Sequence, residues 1–215
     1  MNNKQKYFQT IIDNGLIAII RKINQETVNE VIEALSDGGI KVFEITLDTP
    51  GSLEIIKDLR KQYNDDIIIG AGTVLDSETA RAAILAGAEF VFTPNINLDV
   101  IKLANRYGKL IVPGAMTPTE IVNAYEAGAD LIKVFPAGIL GSSYIKAIKG
   151  PLAHIPIIPT GGINLENARE FIKAGAAALG IGGELVDEKV IKEKNFNLLK
   201  KTASKYIEII KKELK

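Results

Sequence analysis

The chain contains 215 residues, 47% of them hydrophobic, which is enough for a sizeable core and suits a single α/β barrel domain. Lys and Arg number 26, as do Asp and Glu, so no net charge draws the protein to nucleic acid or an anionic membrane. The absence of cysteine and the single histidine, His154, exclude thiolate chemistry and a histidine-rich zinc site. With no apolar leader and no run of transmembrane length, we expect a soluble cytoplasmic protein without nucleic-acid or membrane partners.

Short apolar runs rich in β-branched residues alternate with amphipathic segments along the whole chain. Candidate strands begin near Leu16, Val42, Ile67, Phe90, Leu110, Leu131, Ile157 and Ala178. A helix-like segment follows each run, an alternation typical of a parallel sheet. This number of units favours a closed (β/α)8 TIM barrel over an open sheet. We therefore predict an α/β fold with one domain, residues 1–215, made of an N-terminal extension, the barrel and a closing helix from about residue 195 to 214.

Several helix boundaries are marked by capping residues. Thr117 and Glu120, with Pro118 between them, predict a capping box. Asp76 and Asn164 predict simpler N-caps. Glycines that precede predicted strands indicate left-handed helix ends at Gly87, Gly128 and Gly175, and within the run Asp37-Gly38-Gly39.

The residues suited to chemistry fall at the carboxyl ends of the predicted strands, where the active sites of such barrels are built. Arg21 follows the first strand, Glu44 lies in the second, and Lys133 lies in the sixth, within the run LIKVFP at 131–136. Burial of a lysine is most simply relieved by a lowered pKa, which leaves the amine neutral and nucleophilic. Lys133 is therefore a candidate Schiff-base lysine. The alternatives are a side chain that snorkels to solvent or a structural pair with a buried carboxylate.

Several motifs resemble those of the 2-keto-3-deoxy-6-phosphogluconate (KDPG) and 2-keto-4-hydroxyglutarate (KHG) aldolases. They are EITL at 44–47, GAGTV at 70–74, TP at 93–94, PG at 113–114, LIKVFP at 131–136, KGP at 149–151 and PTGG at 159–162. They occur in family order over nearly the whole chain. The resemblance implies a class I, metal-independent aldolase that needs no cofactor, acts on a small 2-keto acid and assembles as a homotrimer.

The same resemblance implies roles for individual residues. Lys133 corresponds to the lysine that forms the imine, and Glu44 corresponds to the acid/base. Positions at the pyruvate end of the pocket correspond to Thr73, Pro94 and Phe135, and the phosphate-binding loops correspond to Thr160, Gly161, Gly162, Gly182 and Gly183. Thr46, which lies in the same strand as Glu44, is also predicted to bind substrate.

This chemistry requires these residue types for reasons independent of the family. Cleavage beside a ketone builds carbanion character, which an iminium delocalises, and only lysine supplies the primary amine. A carboxylate such as Glu44 can take the C4 hydroxyl proton if a hydrophobic wall raises its pKa. The alternative for Glu44 is a purely structural pair with Lys133. Glycines after the seventh and eighth strands leave N–H groups uncovered for phosphate, although tight turns alone also select glycine.

Two residues depart from the family pattern. Asp48 stands where some members carry an arginine that holds the substrate carboxylate. We therefore predict that Arg21 takes this role, because a guanidinium matches a carboxylate with two parallel hydrogen bonds. The alternative for Arg21 is a salt bridge at the barrel rim, with Asp48 as its partner. Gly183 stands where a serine commonly contacts phosphate, and the lost hydrogen bond is worth about 1 kcal/mol.

The predicted function is cleavage of KDPG to pyruvate and glyceraldehyde 3-phosphate through a Schiff base on Lys133. The alternative within the family is cleavage of 4-hydroxy-2-oxoglutarate to pyruvate and glyoxylate, or of a related unphosphorylated 2-keto acid. A sugar-phosphate epimerase and a catalytically silent barrel are the rival hypotheses. Metal-dependent epimerases need histidine ligands near the barrel mouth, whereas His154 is predicted to lie in a surface loop at the opposite end.

Overall fold

The computed structural model describes residues 3–214, and its strands run parallel around a barrel. The strands are β1 (Leu16–Ile20), β2 (Val42–Thr46), β3 (Ile68–Gly72), β4 (Phe90–Phe92), β5 (Leu110–Val112), β6 (Gly114–Ala115), β7 (Ile132–Val134), β8 (Ile157–Pro159) and β9 (Leu179–Ile181). They form two hydrogen-bonded ladders, in the orders β5-β4-β3-β2-β1-β9 and β6-β7-β8. A bridge between Thr160 and Gly180 joins β8 to β9. This arrangement confirms the predicted (β/α)8 barrel, and each predicted strand start lies within one residue of an observed one.

The fifth barrel strand is split into β5 and β6 by Pro113. Proline has no N–H to donate to a ladder, so the regular pairing is interrupted at this residue. The Pro113 carbonyl still accepts a hydrogen bond from the Lys133 amide at 2.9 Å. Gly114 then resumes the ladder opposite Lys133.

Helices connect the strands and cover the outside of the barrel. They are α1 (Asn3–Asn14), α2 (Val28–Asp37), α3 (Ser52–Tyr63), α4 (Ser77–Ala86), α5 (Leu98–Arg106), α6 (Pro118–Glu126), α7 (Ala137–Lys149), α8 (Ala168–Lys173), α9 (Glu188–Lys192) and α10 (Phe196–Glu213). The N-terminal extension is α1, and the predicted closing helix is α10, which Asn195 caps. The short helix α9 was not predicted.

Most of the predicted helix ends are confirmed. Thr117 and Glu120 form the capping box at the start of α6, and the Asp76 side chain accepts a hydrogen bond from the Thr79 amide at the start of α4. Left-handed backbone, with φ between 97° and 114°, occurs at the predicted glycines Gly39, Gly87, Gly128 and Gly175.

The N-cap predicted at Asn164 is wrong. Its side chain accepts hydrogen bonds from the amides of Glu166 and Asn167 and so closes a turn. Helix α8 begins only at Ala168, with Asn167 as its N-cap. Asn residues close isolated turns in the same way that they cap helices, so the sequence does not separate the two cases.

Strand side chains alternate between the barrel interior and the layer beneath the helices. On β2, Val42 packs in the interior, whereas Phe43 and Ile45 pack beneath the helices. The interior cluster also includes Tyr7 and Ile11 of α1, so the N-terminal extension closes the amino end of the barrel. Among residues 3–214, no helix is both long and apolar enough to span a membrane.

Candidate active site

A cavity of about 240 Å³ opens at the carboxyl ends of the strands. Most of the predicted site residues line it: Arg21, Glu44, Thr73, Pro94, Lys133, Phe135, Thr160, Gly161, Gly162, Gly182 and Gly183. These residues belong to strands and loops between the end of β1 and the loop after β9. Only closure of the barrel therefore brings them together.

Lys133 extends from β7 into this cavity. The residue is only 7% exposed, and its Nζ atom lies 4.5 Å from the ring centroid of Phe92 and 4.9 Å from that of Phe135. Burial lowers the pKa of the Lys133 amine and Arg21 lowers it further, while Glu44 acts in the opposite direction. The amine therefore does not snorkel to bulk solvent, and its environment favours the neutral form that can attack a carbonyl.

Glu44 extends from β2 into the same cavity. It is 1% exposed, and its Oε2 atom has no hydrogen-bond partner among the residues that the structure describes. Burial raises the pKa of Glu44 to about 7, although Lys133 and Arg21 act to lower it. A purely structural carboxylate would be fully hydrogen-bonded, whereas one that titrates near neutrality with a free oxygen can accept and return a proton.

Arg21 lies at the mouth of the cavity, directly after β1. Its Nη1 atom lies 2.6 Å from Asp48 Oδ2, and its Nη2 atom donates to Thr73 Oγ1 at 3.1 Å. The rim salt bridge considered as an alternative is thus present. Arg21 also lines the cavity, so the salt bridge does not remove the guanidinium from the site.

The far end of the cavity is built from the glycine loops after β8 and β9. Gly161 and Gly162 have φ of +84° and +74°, a region that favours glycine. A Cβ atom on Gly183 would meet nothing within 4 Å, so packing does not require glycine there. Glu184 lines this end and is exposed. Among the described lining residues the only cationic side chains are those of Arg21 and Lys133, and neither belongs to these loops.

The structure corrects the placement of Thr46. This residue is fully buried and does not belong to the described lining of the cavity. Its hydroxyl lies 3.2 Å from that of Thr49, and the Thr49 hydroxyl accepts a hydrogen bond from the Lys22 amide at 2.9 Å. Thr46 is two residues from Glu44 on β2, but the turn that follows the strand covers it.

Sequence reasoning missed several residues that line the cavity, namely Ile19, Ile163, Gly180, Ile181 and Glu184. The apolar ones carry no chemical signal, whereas the position of Glu184 directly after Gly182 and Gly183 could have identified it. His154 is exposed beside Tyr125, with ring centroids 5.7 Å apart, as predicted for a surface loop. No group of three or more His, Asp or Glu residues able to hold a metal occurs within residues 3–214.

Residues 9–202 match the aldolase family described as KDPG and KHG aldolase. The chain belongs to this family. The 2-dehydro-3-deoxy-6-phosphogalactonate aldolase of Escherichia coli K12 is 39% identical over 171 residues, which are 79% of this chain and 83% of the relative. The 2-dehydro-3-deoxy-phosphogluconate aldolase of Haemophilus influenzae Rd is 32% identical over 208 residues, which are 96% of this chain and 98% of the relative.

Solved structures of KDPG and KHG aldolases have the same fold as this chain. The native KDPGal structure has a TM-score of 0.86 at 34% identity, covering 92% of this chain and 95% of the other. The KDPG aldolase of Legionella pneumophila, with pyruvate captured as a covalent carbinolamine, has a TM-score of 0.85 at 29% identity, covering 92% and 96%. The present chain is therefore a class I aldolase, which is a lyase, and its substrate is a small 2-keto acid.

Proposed function

We propose that this aldolase cleaves KDPG to pyruvate and glyceraldehyde 3-phosphate, with Lys133 as the residue that forms the imine. The observation that carries the proposal is a buried amine with a lowered pKa, in one cavity with a carboxyl group whose pKa is raised to about 7. The names of two relatives support the substrate class, because both are aldolases of phosphorylated 3-deoxy sugar acids.

The first half of the reaction joins the substrate to the enzyme. The neutral Lys133 amine attacks the C2 ketone and forms a carbinolamine, and loss of water gives an iminium. Glu44 is placed to move protons during this exchange, because its free Oε2 atom is in the same cavity. The iminium then draws electrons from the adjacent C3–C4 bond.

The second half breaks that bond. The Glu44 carboxylate removes the C4 hydroxyl proton, the C3–C4 electron pair moves into the iminium, and the aldehyde leaves. The resulting enamine takes a proton at C3, which Glu44 can return. Water then hydrolyses the imine, which releases pyruvate and restores the Lys133 amine.

Two further parts of the cavity bind the ends of the substrate. Arg21 meets the C1 carboxylate with the guanidinium N–H groups that Asp48 and Thr73 do not occupy. The loops containing Gly161, Gly162, Gly182 and Gly183 present backbone N–H groups to the phosphate. Pro94, Phe135 and Thr160 complete the walls of the cavity.

Reductive trapping tests the role of Lys133. Borohydride added with pyruvate should reduce the imine to a secondary amine and leave a carboxyethyl group on the peptide that contains Lys133. Lys109 and Lys149 serve as internal controls, because burial also lowers the pKa of each. Neither residue belongs to the described lining of the cavity, and Lys149 donates to the carbonyls of Ala153 and Ile155, so neither control should be modified. A protein left unmodified, or modified at another lysine, would exclude this mechanism, and activity in Lys133→Ala would do the same.

An unphosphorylated 2-keto-3-deoxy acid is the second candidate substrate, and Glu184 is the observation that favours it. A carboxylate beside Gly183 repels a phosphate dianion but accepts hydrogen bonds from sugar hydroxyls. We expect kcat/KM to be highest for KDPG. It should be lower both for the unphosphorylated counterpart of KDPG and for 4-hydroxy-2-oxoglutarate. Glu184→Gln should raise kcat/KM for KDPG selectively. If the unaltered enzyme prefers the unphosphorylated acid, that acid and not KDPG is the substrate, and the imine mechanism is unaffected.

We also propose a homotrimer, as the family resemblance implies. Exposed apolar side chains follow β3, β4, β6 and β7, at Leu75, Leu98, Met116 and Ile139. Apolar side chains exposed at the same end of a barrel are candidates for burial against another protein chain. Light scattering coupled to gel filtration should give three times the chain mass, and Ile139→Glu should lower that mass. A monomeric mass for the unaltered protein would contradict the proposal.

A further inference from the structure

Asp48 contacts Arg21 from outside the cavity. Asp48 Oδ2 binds Arg21 Nη1 at 2.6 Å, while Arg21 Nη2 donates to Thr73 Oγ1 at 3.1 Å. Arg21 and Thr73 belong to the described lining of the cavity, and Asp48 does not. The guanidinium is thus held between the loops that follow β1, β2 and β3.

These two contacts leave most of the guanidinium available. It carries five N–H donors in a rigid fork, of which Asp48 and Thr73 each occupy one. The Arg21 side chain is 49% exposed, so without a partner it would sample many rotamers. Because the Thr73 oxygen accepts from Arg21, the Thr73 hydroxyl proton remains free to be donated into the cavity.

We propose that Asp48 is a positioning residue: it fixes the Arg21 guanidinium so that the unbound N–H groups meet the carboxylate of the 2-keto acid. The inference rests on the proposed role of Arg21 as the carboxylate ligand. An acidic residue at this place repels an incoming carboxylate, but both charged side chains are substantially exposed and that repulsion is screened by salt. The 2.6 Å contact that orients the guanidinium is shorter than a Debye length, so salt weakens it less than it weakens the repulsion.

Asp48 also balances the charge of Arg21 near the acid/base residue. Burial is the main influence on Glu44, and the charged groups that act on it are Lys133 and Arg21, which lower its pKa, and Asp48, which raises it. Loss of the Asp48 charge leaves Arg21 uncompensated, and the pKa of Glu44 then falls. The acid limb of the pH–rate profile should move to lower pH as a result.

The test compares Asp48→Ala and Asp48→Asn with the unaltered enzyme. The readouts are KM for a 2-keto-4-hydroxy acid and the pyruvate concentration that gives half-maximal borohydride trapping. Asp48→Ala should raise both roughly 1.5-fold to fivefold, the size expected for one exposed ion pair, with kcat above the acid limb nearly unchanged. The effect should shrink without vanishing at about 1 M salt, where the Debye length is about 3 Å.

Asp48→Asn separates position from charge. The amide oxygen can still accept from Arg21, so KM should recover toward the unaltered value, whereas the acid limb of the pH profile should stay shifted to lower pH. Asp37→Ala is the matched control, because Asp37 forms an exposed ion pair with Lys200 at 2.8 Å away from the cavity. That variant should change neither KM nor the pH profile.

The double variant Arg21→Ala with Asp48→Ala decides how Asp48 acts. If Asp48 works only through Arg21, its removal has no further effect on KM once Arg21 is absent. A lowered KM in Asp48→Ala, or an effect that survives in the Arg21→Ala background, would overturn the inference. If Arg21→Ala leaves KM unchanged, the proposed carboxylate site is wrong. If Arg21→Ala raises KM but Asp48→Ala does not, the carboxylate site stands and only the positioning role of Asp48 is rejected.

Discussion

Two ionisable residues with opposite charges are displaced in pKa by the same cause, their burial. Burial disfavours a charge of either sign, so it lowers the pKa of the Lys133 amine and raises the pKa of Glu44 to about 7. Each shift moves the group toward the protonation state that a Schiff-base aldolase uses near neutral pH. The energetic cost of placing two polar groups inside the barrel is therefore the origin of their reactivity.

The pH dependence of Glu44 can be tested directly. A base whose pKa is raised to about 7 in the free enzyme is protonated at lower pH, so kcat/KM should fall as the pH decreases below about 7. Glu44→Gln should lower kcat about 10²- to 10⁴-fold and abolish this acid limb, because glutamine has no proton to lose. Steady-state kinetics between pH 5 and 9 provide the measurement. An identical acid limb in the variant would mean that another group titrates.

At the scale of elements, the strands determine where the reactive side chains lie, and a neighbouring strand can restrict the position of a catalytic group. Gly72 of β3 pairs with Thr46 of β2 and lies beside the Glu44 side chain. A Cβ atom at Gly72 would lie 1.6 Å from Glu44 Oε1, so a glycine in this strand makes room for the carboxylate. Its φ is not in the left-handed region, so the requirement comes from the side chain opposite and not from the backbone.

Gly72→Ala should therefore impair catalysis through Glu44. We expect kcat to fall about 10²-fold, because a displacement of about 1 Å at a catalytic group costs this much. Gly70→Ala is the control in the same strand: its Cβ would lie 2.4 Å from the Phe90 ring and should lower the melting temperature by disturbing the interior. A folded Gly72→Ala variant with normal kcat would show that the position of Glu44 is not critical.

At the scale of the whole molecule, the two ends of the barrel carry different polar groups. The cavity is at the carboxyl end, whereas the amino end holds a buried ion pair between Glu89 and Arg60, at 3.0 Å, just before β4. The Glu89 carboxylate also accepts a hydrogen bond from the Ile69 amide at 3.2 Å. Barrels place stability at this end and catalysis at the other.

Glu89→Ala should lower stability and leave catalysis unchanged. Removing Glu89 leaves the partly buried Arg60 with only the longer contact to the exposed Asp65, at 3.8 Å, at a cost of about 3 kcal/mol. The melting temperature should fall by several degrees for a chain of this length, while kcat and KM stay within error. Glu89→Gln can still accept a hydrogen bond from the Ile69 amide, so its melting temperature should fall less. Calorimetry and kinetics on the same samples provide the measurement. A fall in both kcat and the melting temperature would contradict the assignment of stability and catalysis to opposite ends of the barrel.

The sequence by itself determined the barrel, because each strand–helix unit carries its own signal in apolar runs, caps and glycines. It also placed the chemical groups in the correct strands, since Lys133 and Glu44 stand out against apolar neighbours. Local patterns failed where a neighbour distant in sequence decides the outcome. Thr46 has the right alternation to face the cavity, yet the turn containing Thr49 covers it.

Only the tertiary structure decided which residues share a surface. The sequence offered Arg21 either as a carboxylate ligand or as the partner of Asp48, and the structure shows one guanidinium that lines the cavity while it binds Asp48. The loop after β9, which carries Glu184, faces Arg21 across one cavity because β9 pairs with β1. The physical reason is that propensity and capping act over a few residues, whereas burial, pKa and side-chain contacts depend on strands that close a ring between distant parts of the chain.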